Sequence, residues 1–171
     1  MGSPKRLRKK YETPGFMWDA KRLEEEQKLK NDYGLKNLRE LWIAASTLRN
    51  IRRKAREVLS GKEKEEVGRE IIAKLSRYGV IKQDATIDDL LVINVEALLE
   101  RRLQSVVFRK GMAKSMKQAR QLITHGFIAI NGRRVTVPSY TVATAEEPAI
   151  SFYKPIKIMQ EQNSENNAQS A

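Results

Sequence analysis

Cysteine is missing from this chain and histidine occurs once, as His125. Disulfides, thiolate nucleophiles and cysteine-type zinc sites are thereby excluded, and one histidine cannot build a histidine-rich metal centre. No apolar run approaches the roughly 20 residues that a bilayer-spanning helix needs. The opening stretch MGSPKRLRKKYETPGF also lacks the apolar core of a signal peptide. These absences predict a cytosolic protein with neither metal nor membrane segment. Acids are missing too from one long stretch: Arg101 to Tyr140 holds nine lysines and arginines and no aspartate or glutamate.

What the chain does have is charge and ordered pattern. Its 33 Lys and Arg against 21 Asp and Glu leave a formal charge of +12 over 171 residues, 40% of them hydrophobic. That length supports one modest core or two small ones. The charge points to a polyanionic partner. Apolar residues threaded through the basic stretch at helical and then strand spacing make it a folded surface rather than a low-complexity tail.

Residues 1–17 read as an extended arm carrying Lys5, Arg6, Arg8, Lys9 and Lys10, with Pro4, Pro14 and Gly15 forbidding a continuous helix. Alone, such an arm is expected to be mobile: either a solubilising tail or an RNA-binding arm that a polyanion fixes. Residues 19–33 predict a short helix with Asp19 as N-cap, Gly34 as stop, and Glu24/Lys28 and Glu26/Lys30 at supportive spacing. Its apolar face (Ala20, Leu23, Tyr33) is thin and calls for a docking partner. Asn37 and Glu40 suggest an Asx capping box for the longest helix, apolar at positions from Leu38 to Leu59 and ending at Gly61. Arg49, Arg52, Arg53, Lys54 and Arg56 occupy its other face, as a solvated surface or as phosphate contacts.

From 61 to 100 the sign reverses, with nine acids against six basic residues, which predicts the side turned away from the polyanion. One helix runs through Val67, Ile71 and Leu75 to Gly79, and Thr86 with Asp89 starts another. Asp88 and Asp89 suit a helix's first turn for dipole reasons better than a magnesium or catalytic site.

Asn94 is placed to cap a helix with the stripe Leu98, Leu99, Leu103, Val106 and Val107, closing at Gly111. Ser115 with Gln118 forms a capping box for the next helix, which Gly126 ends after His125. Asn131-Gly132 between Phe127–Ile130 and Arg133–Val137 predicts a hairpin with a type I′ turn, since both turn residues need positive φ. Pro138 ends the second strand, and 149–153 is a third candidate. Lys114, Lys117, Gln121 and Thr124 fall opposite Ala119 and Ile123, with Arg120 at the side. The free N–H groups near Ser115 suit a phosphate. His125 is either a cap on the helix's last carbonyls or an RNA contact. Arg133 and Arg134 project to opposite faces of their strand. The expected class is α+β, a mostly helical N-terminal part plus two helices on a small antiparallel sheet.

The string RRLQSVVFRKGMAKSMKQARQLITHGFIAINGRRVTVPSYTV closely resembles the RNA-binding motif named after small-subunit ribosomal protein S-four, also called the alpha-L motif. Its signature is Arg102-Leu103, Val107 to Gly111, Ser115, the run from Ala119 to Ile123, His125-Gly126, Asn131-Gly132 and Pro138-Ser139-Tyr140. PKRLRKKYETP, YGLKNLRELW and LRNIRRKAREVL resemble the N-terminal half of the archaeal and eukaryotic ribosomal family, so the likeness covers Pro4 to about Lys157.

The resemblance implies a structural constituent of the small ribosomal subunit that binds rRNA at a junction of the 5′ domain and nucleates assembly. Its implied partners are rRNA and neighbouring small-subunit proteins, with the chain a monomer within the ribosome, no cofactor and no enzymatic reaction. The alternative is a pre-rRNA processing paralogue or another small RNA-binding protein carrying this motif. Residue by residue, the likeness puts Arg102, Ser115, Lys117, Arg120, Gln121, His125, Asn131 and Arg133 on the RNA face. Charge adds Lys5, Arg6, Arg8, Lys9, Lys10, Arg49, Arg52, Arg53, Arg56, Arg109, Lys114 and Arg134. Bacterial members carry Asp where this chain has Gln104, and some relatives hold a cysteine zinc cluster that is missing here. Reversing Lys117 and Arg120 to Glu is expected to weaken RNA binding with the fold intact. The expected organisation is arm 1–17, helical domain 18–93, RNA-binding domain 94–157 and disordered tail 158–171.

Overall fold

A computed structural model describes residues 9–82 and 84–154; Lys5, Arg6, Arg8 and the polar tail fall outside the described residues. Seven α-helices and three short strands are described. No helix among the described residues is long and apolar enough to cross a membrane.

Helix α1 (Ala20–Asp32) buries none of its residues and docks instead through its edge. Its Glu26 accepts from the Trp42 indole at 3.2 Å and from Arg22 at 2.7 Å. The anticipated Glu26–Lys30 pair is therefore replaced by one facing the other way along the helix. Helix α2 (Leu38–Leu59) is the long central element, 22 residues with Leu41, Leu48, Ala55 and Val58 buried. Helix α3 (Glu65–Arg77) packs on it where Gly68 lets the two come close: a Cβ there would meet Ile87 Cδ1 at 3.1 Å and Val58 Cγ1 at 3.5 Å. The one-turn α4 (Asp89–Val92) begins where Thr86 donates its N–H and hydroxyl to Asp89, the expected start.

The single helix anticipated from Asn94 to Gly111 is two, α5 (Val95–Glu100) and α6 (Leu103–Arg109). Arg102 between them is extended, with φ −72° and ψ 145°, and forms an isolated bridge with Thr141. Carbonyls of the 138–140 loop take the first N–H groups of α6, Tyr140 from Leu103 at 2.7 Å and Pro138 from Gln104 at 3.3 Å. A helix start satisfied by a distant loop leaves no mark in local spacing, so the apolar stripe reads as continuous across the break. Its two halves face different cores. Leu98 and Leu99 pack with the helical part, whereas Leu103, Val106 and Val107 join Leu122, Ile123, Ile128, Val142 and Ile150.

Helix α7 (Met116–Thr124) starts as expected, Ser115 Oγ accepting from the Gln118 N–H at 3.2 Å. Of the anticipated N-caps at Asp19, Asn37, Asn94 and Ser115, only Ser115 uses its side chain. Strands β1 (Ile128–Ile130) and β2 (Arg133–Arg134) form the predicted hairpin, Ile130 opposite Arg133, but the second strand stops at Arg134 rather than running on to Val137, with the Val135 N–H making a last bond to the Ile128 carbonyl at 3.0 Å. Asn131 and Gly132 both have positive φ, 50° and 73°, as a type I′ turn demands. Strand β3 (Ile150–Phe152) pairs antiparallel on the other edge of β1, giving the order β2-β1-β3. The fold is α+β.

Candidate nucleic-acid interface

On α7 the residues placed outward by spacing are outward in space. Lys114, Ser115, Lys117, Gln121, Thr124 and His125 are exposed, while Ala119, Leu122 and Ile123 are buried. The strip from Lys114 to Thr124 is about 15 Å long at the helical rise. His125 occupies the C-cap position of the helix, its backbone N–H donating to the Gln121 carbonyl at 3.0 Å, but its side chain does not cap the last carbonyls. Its ring hydrogen-bonds nothing among the described residues, and Thr124 Oγ1 reaches back to the Arg120 and Gln121 carbonyls instead. Arg134 lies over the helix end, where a Cβ on Gly126 would meet its Nε at 2.1 Å. Asn131 and Arg133 are exposed at the hairpin tip.

The two other arginines of the set behave differently. Arg102 is 8% exposed and half-buried Arg120 flanks it; both donate to the carboxylate of Glu40 on the first turn of α2. Arg120 Nη2 sits 2.7 Å from Glu40 Oε1. Burial alone would raise the Glu40 carboxyl, but hydrogen bonds from Arg120 and Arg102 and their charges outweigh it and hold it below its ordinary value. This overturns two expectations. Glu40 closes no box with Asn37, and Arg120 cannot be reversed to Glu with the fold intact, because that would set two carboxylates face to face.

Gln104, in the place of the bacterial aspartate, is 1% exposed. Its amide nitrogen lies 3.1 Å from the Tyr33 carbonyl, 3.0 Å from that of Gly34 and 3.0 Å from that of Met116, while its oxygen accepts from Arg120. No ion pair forms at that position; an amide joins the end of α1 to the start of α7. Above this polar knot lies a cleft of about 500 Å³ between α2 and the motif, lined among others by Glu40, Thr47, Leu98, Arg102, Arg120 and Ser139. Sequence reasoning missed Glu40 and Gln104 as organising residues, and a carboxylate with a helix-start reading carried no other local signal.

Around α2, helical spacing puts Trp42, Ser46, Arg49, Arg53 and Arg56 on one stripe and the cleft residues Ile43 and Thr47 about a quarter turn away. The arginine stripe is opposite the face on which α3 and α4 pack; α3 balances Glu65, Glu66 and Glu70 against Arg69, Lys74 and Arg77, so the side turned from the arginines is mixed in sign rather than acidic. Arg49, Arg53 and Arg56 are exposed; Arg52 is half-buried and donates to the Ile93 carbonyl at the end of α4. Arg49 pairs with Glu12, whose N–H donates to Ser46 Oγ at 3.0 Å. Tyr11 rests on Trp42, ring centroids 6.0 Å apart, with Arg39 5.6 Å over its ring. The arm was expected to need a charged partner to fix it. Its end at Tyr11 and Glu12 is instead anchored by the protein itself, leaving Lys9 and Lys10 exposed. Arg109 is exposed and turned to the carbonyl of Glu100, 3.1 Å away.

A sequence model of the S4 domain matches residues 101–147. The chain is similar to the small ribosomal subunit protein uS4 of Sulfurisphaera tokodaii, 49% identical with both chains covered in full. It is 51% identical to that of Ignicoccus hospitalis over 89% of this chain and 93% of the relative. It is 49% identical to that of Methanococcus aeolicus over 89% and 88%.

Proposed function

The chain belongs to the family of small ribosomal subunit protein uS4, and from that premise we propose that it is an rRNA-binding structural constituent of the small subunit that nucleates assembly on the 5′ domain. It acts by binding, with no reaction of its own. The α7 strip with the hairpin tip takes one side of an RNA junction, and the α2 arginine stripe with the arm takes the other. One observation carries this reading: Lys114, Lys117, Arg133 and Arg134 are exposed and pair with no carboxylate among the described residues, on a motif free of acid from 101 to 140. A solvated surface patch would ordinarily mix signs. Junctions offer little readable major groove, so backbone phosphates and 2′-hydroxyls are the groups recognised.

The test is equilibrium binding to a transcript of the 5′ domain of an archaeal small-subunit rRNA across a salt series. If about six phosphates are engaged, log affinity falls with log salt at a slope of roughly 4 to 5. Lys114→Ala with Lys117→Ala leaves the fold intact, since both side chains are exposed. It should lower affinity and reduce the slope by about 1 to 2. A flat salt response in the wild-type protein would sink the phosphate mechanism.

A further inference from the structure

Just before α1, Phe16, Met17 and Trp18 stand 86%, 61% and 90% exposed, three large apolar side chains in a row. Such a run ordinarily folds onto the nearest core. Here its backbone is held while its side chains are not. Arg22 Nη2 donates to the carbonyls of Phe16 and Met17, each at 2.9 Å, and Arg22 is itself gripped by Glu26, which also holds the Trp42 indole. The turn is thus fastened to α1 and, through Trp42, to α2, with two aromatic faces and a thioether directed at solvent.

We propose that the Phe16-Met17-Trp18 turn is a stacking platform for an unpaired RNA base, continuing the grip on rRNA put forward above and resting on that reading. Two features choose RNA over a protein partner. Residues 1–22 carry seven cations, Lys5, Arg6, Arg8, Lys9, Lys10, Lys21 and Arg22, against only Glu12 and Asp19. An apolar protein surface gains nothing from such charge, whereas a base presents a flat face attached to a phosphate. The platform also lies at the Trp42 end of the stripe that holds Arg49, Arg53 and Arg56. The turn and the arginine stripe therefore share Trp42 as a common anchor. Stacking tolerates any base, so the platform adds affinity and register rather than sequence preference.

The experiment compares wild type, Trp18→Ala, Phe16→Ala with Trp18→Ala, and Trp18→Tyr in full-length protein binding to the same 5′-domain transcript. Alanine at 18 should weaken binding by about fivefold to a hundredfold, and tyrosine should restore most of it. The salt slope should stay unchanged, because no counterion release is lost. Trp18 emission, taken as the difference between wild type and Trp18→Tyr, should be quenched when RNA is added. Melting temperatures should match, since the side chains make no core contact; a lower melting temperature for Trp18→Ala would place Trp18 in the fold and overturn the proposal. Unchanged affinity with unquenched emission also overturns it. Unchanged affinity with weakened capture of small-subunit proteins hands the turn to a protein neighbour, which is again a refutation. Failure of the wild-type protein to bind sinks the rRNA reading itself, so the two failures are distinguishable.

Discussion

A single carboxylate on the first turn of α2, Glu40, takes hydrogen bonds from Arg102 and Arg120, residues 62 and 80 positions further along the chain. Its side chain is 17% exposed and those of the arginines 10% and 22%, so removing the carboxylate would leave two cations close together with little water. Glu40→Ala should therefore cost about 2 to 3 kcal/mol in urea unfolding at pH 7, less than a fully buried pair because Arg120 keeps some solvent contact. The folded carboxyl titrates below its ordinary value of 4.5. Its contribution is thus complete above about 4.5 and is lost as pH falls through the lower, folded value. The acid arm of the stability profile should flatten in Glu40→Gln, and an unchanged profile would refute this account of the triad. None of this was legible locally. Glu40 three residues after Asn37 reads as a capping box, and only the folded chain brings Arg102 and Arg120 to it. In the sequence Gln104 shows only as a departure from a relative's aspartate, because two of its three carbonyl partners, Tyr33 and Gly34, lie 71 and 70 positions away and the third, Met116, belongs to the next helix.

Turns and helix stops whose cause is local are legible in the sequence, although the caps read at Asp19, Asn37 and Asn94 are not made by their side chains. The Asn131-Gly132 turn needs only two left-handed residues, Ser115 needs only its own helix, and the stops at Gly34, Gly61, Gly79, Gly111 and Gly126 all show positive φ. The α5–α6 break was hidden because its cause lies in the 138–140 loop, and the arm's anchorage because Tyr11 and Trp42 meet only after α2 has formed. The same distinction ranks two substitutions. Gly132→Ala meets nothing within 4 Å and suffers only the left-handed backbone, about 1 to 2 kcal/mol. Gly34→Ala has that cost at φ +56° and in addition drives its Cβ to 2.8 Å from Met116 Cβ and 3.2 Å from the Met116 carbonyl carbon. These are parts of α7 that cannot swing aside. Gly34→Ala should be the more destabilising by thermal melt, although Gly132 sits in the more conspicuous motif. Equal losses would mean that the α1–α7 seam yields more easily than its packing suggests.

For the molecule as a whole, the question is what the Glu40–Arg102–Arg120 triad contributes to binding. Arg120 lies within the span of the α7 strip, and the exposed arginines of α2 lie about 13 to 24 Å from Glu40 along that helix at the helical rise. Two basic surfaces held at a fixed angle match a folded junction without an ordering cost at the moment of binding, whereas a loosened seam must be set first. Glu40→Gln separates these effects by sign. It deletes a negative charge from a basic face, which by charge alone should strengthen binding to any RNA. It also weakens the seam, which should weaken binding only where both surfaces engage at once. Affinity for the 5′-domain transcript is therefore expected to fall by about tenfold, the equivalent of losing roughly 1.4 kcal/mol of fixed geometry. Affinity for a short plain RNA duplex, which engages one surface at a time, should hold or rise slightly. If Glu40→Gln tightens both RNAs alike, the charge effect governs and the two basic faces bind independently, which would leave the triad a stabilising device with no part in recognition.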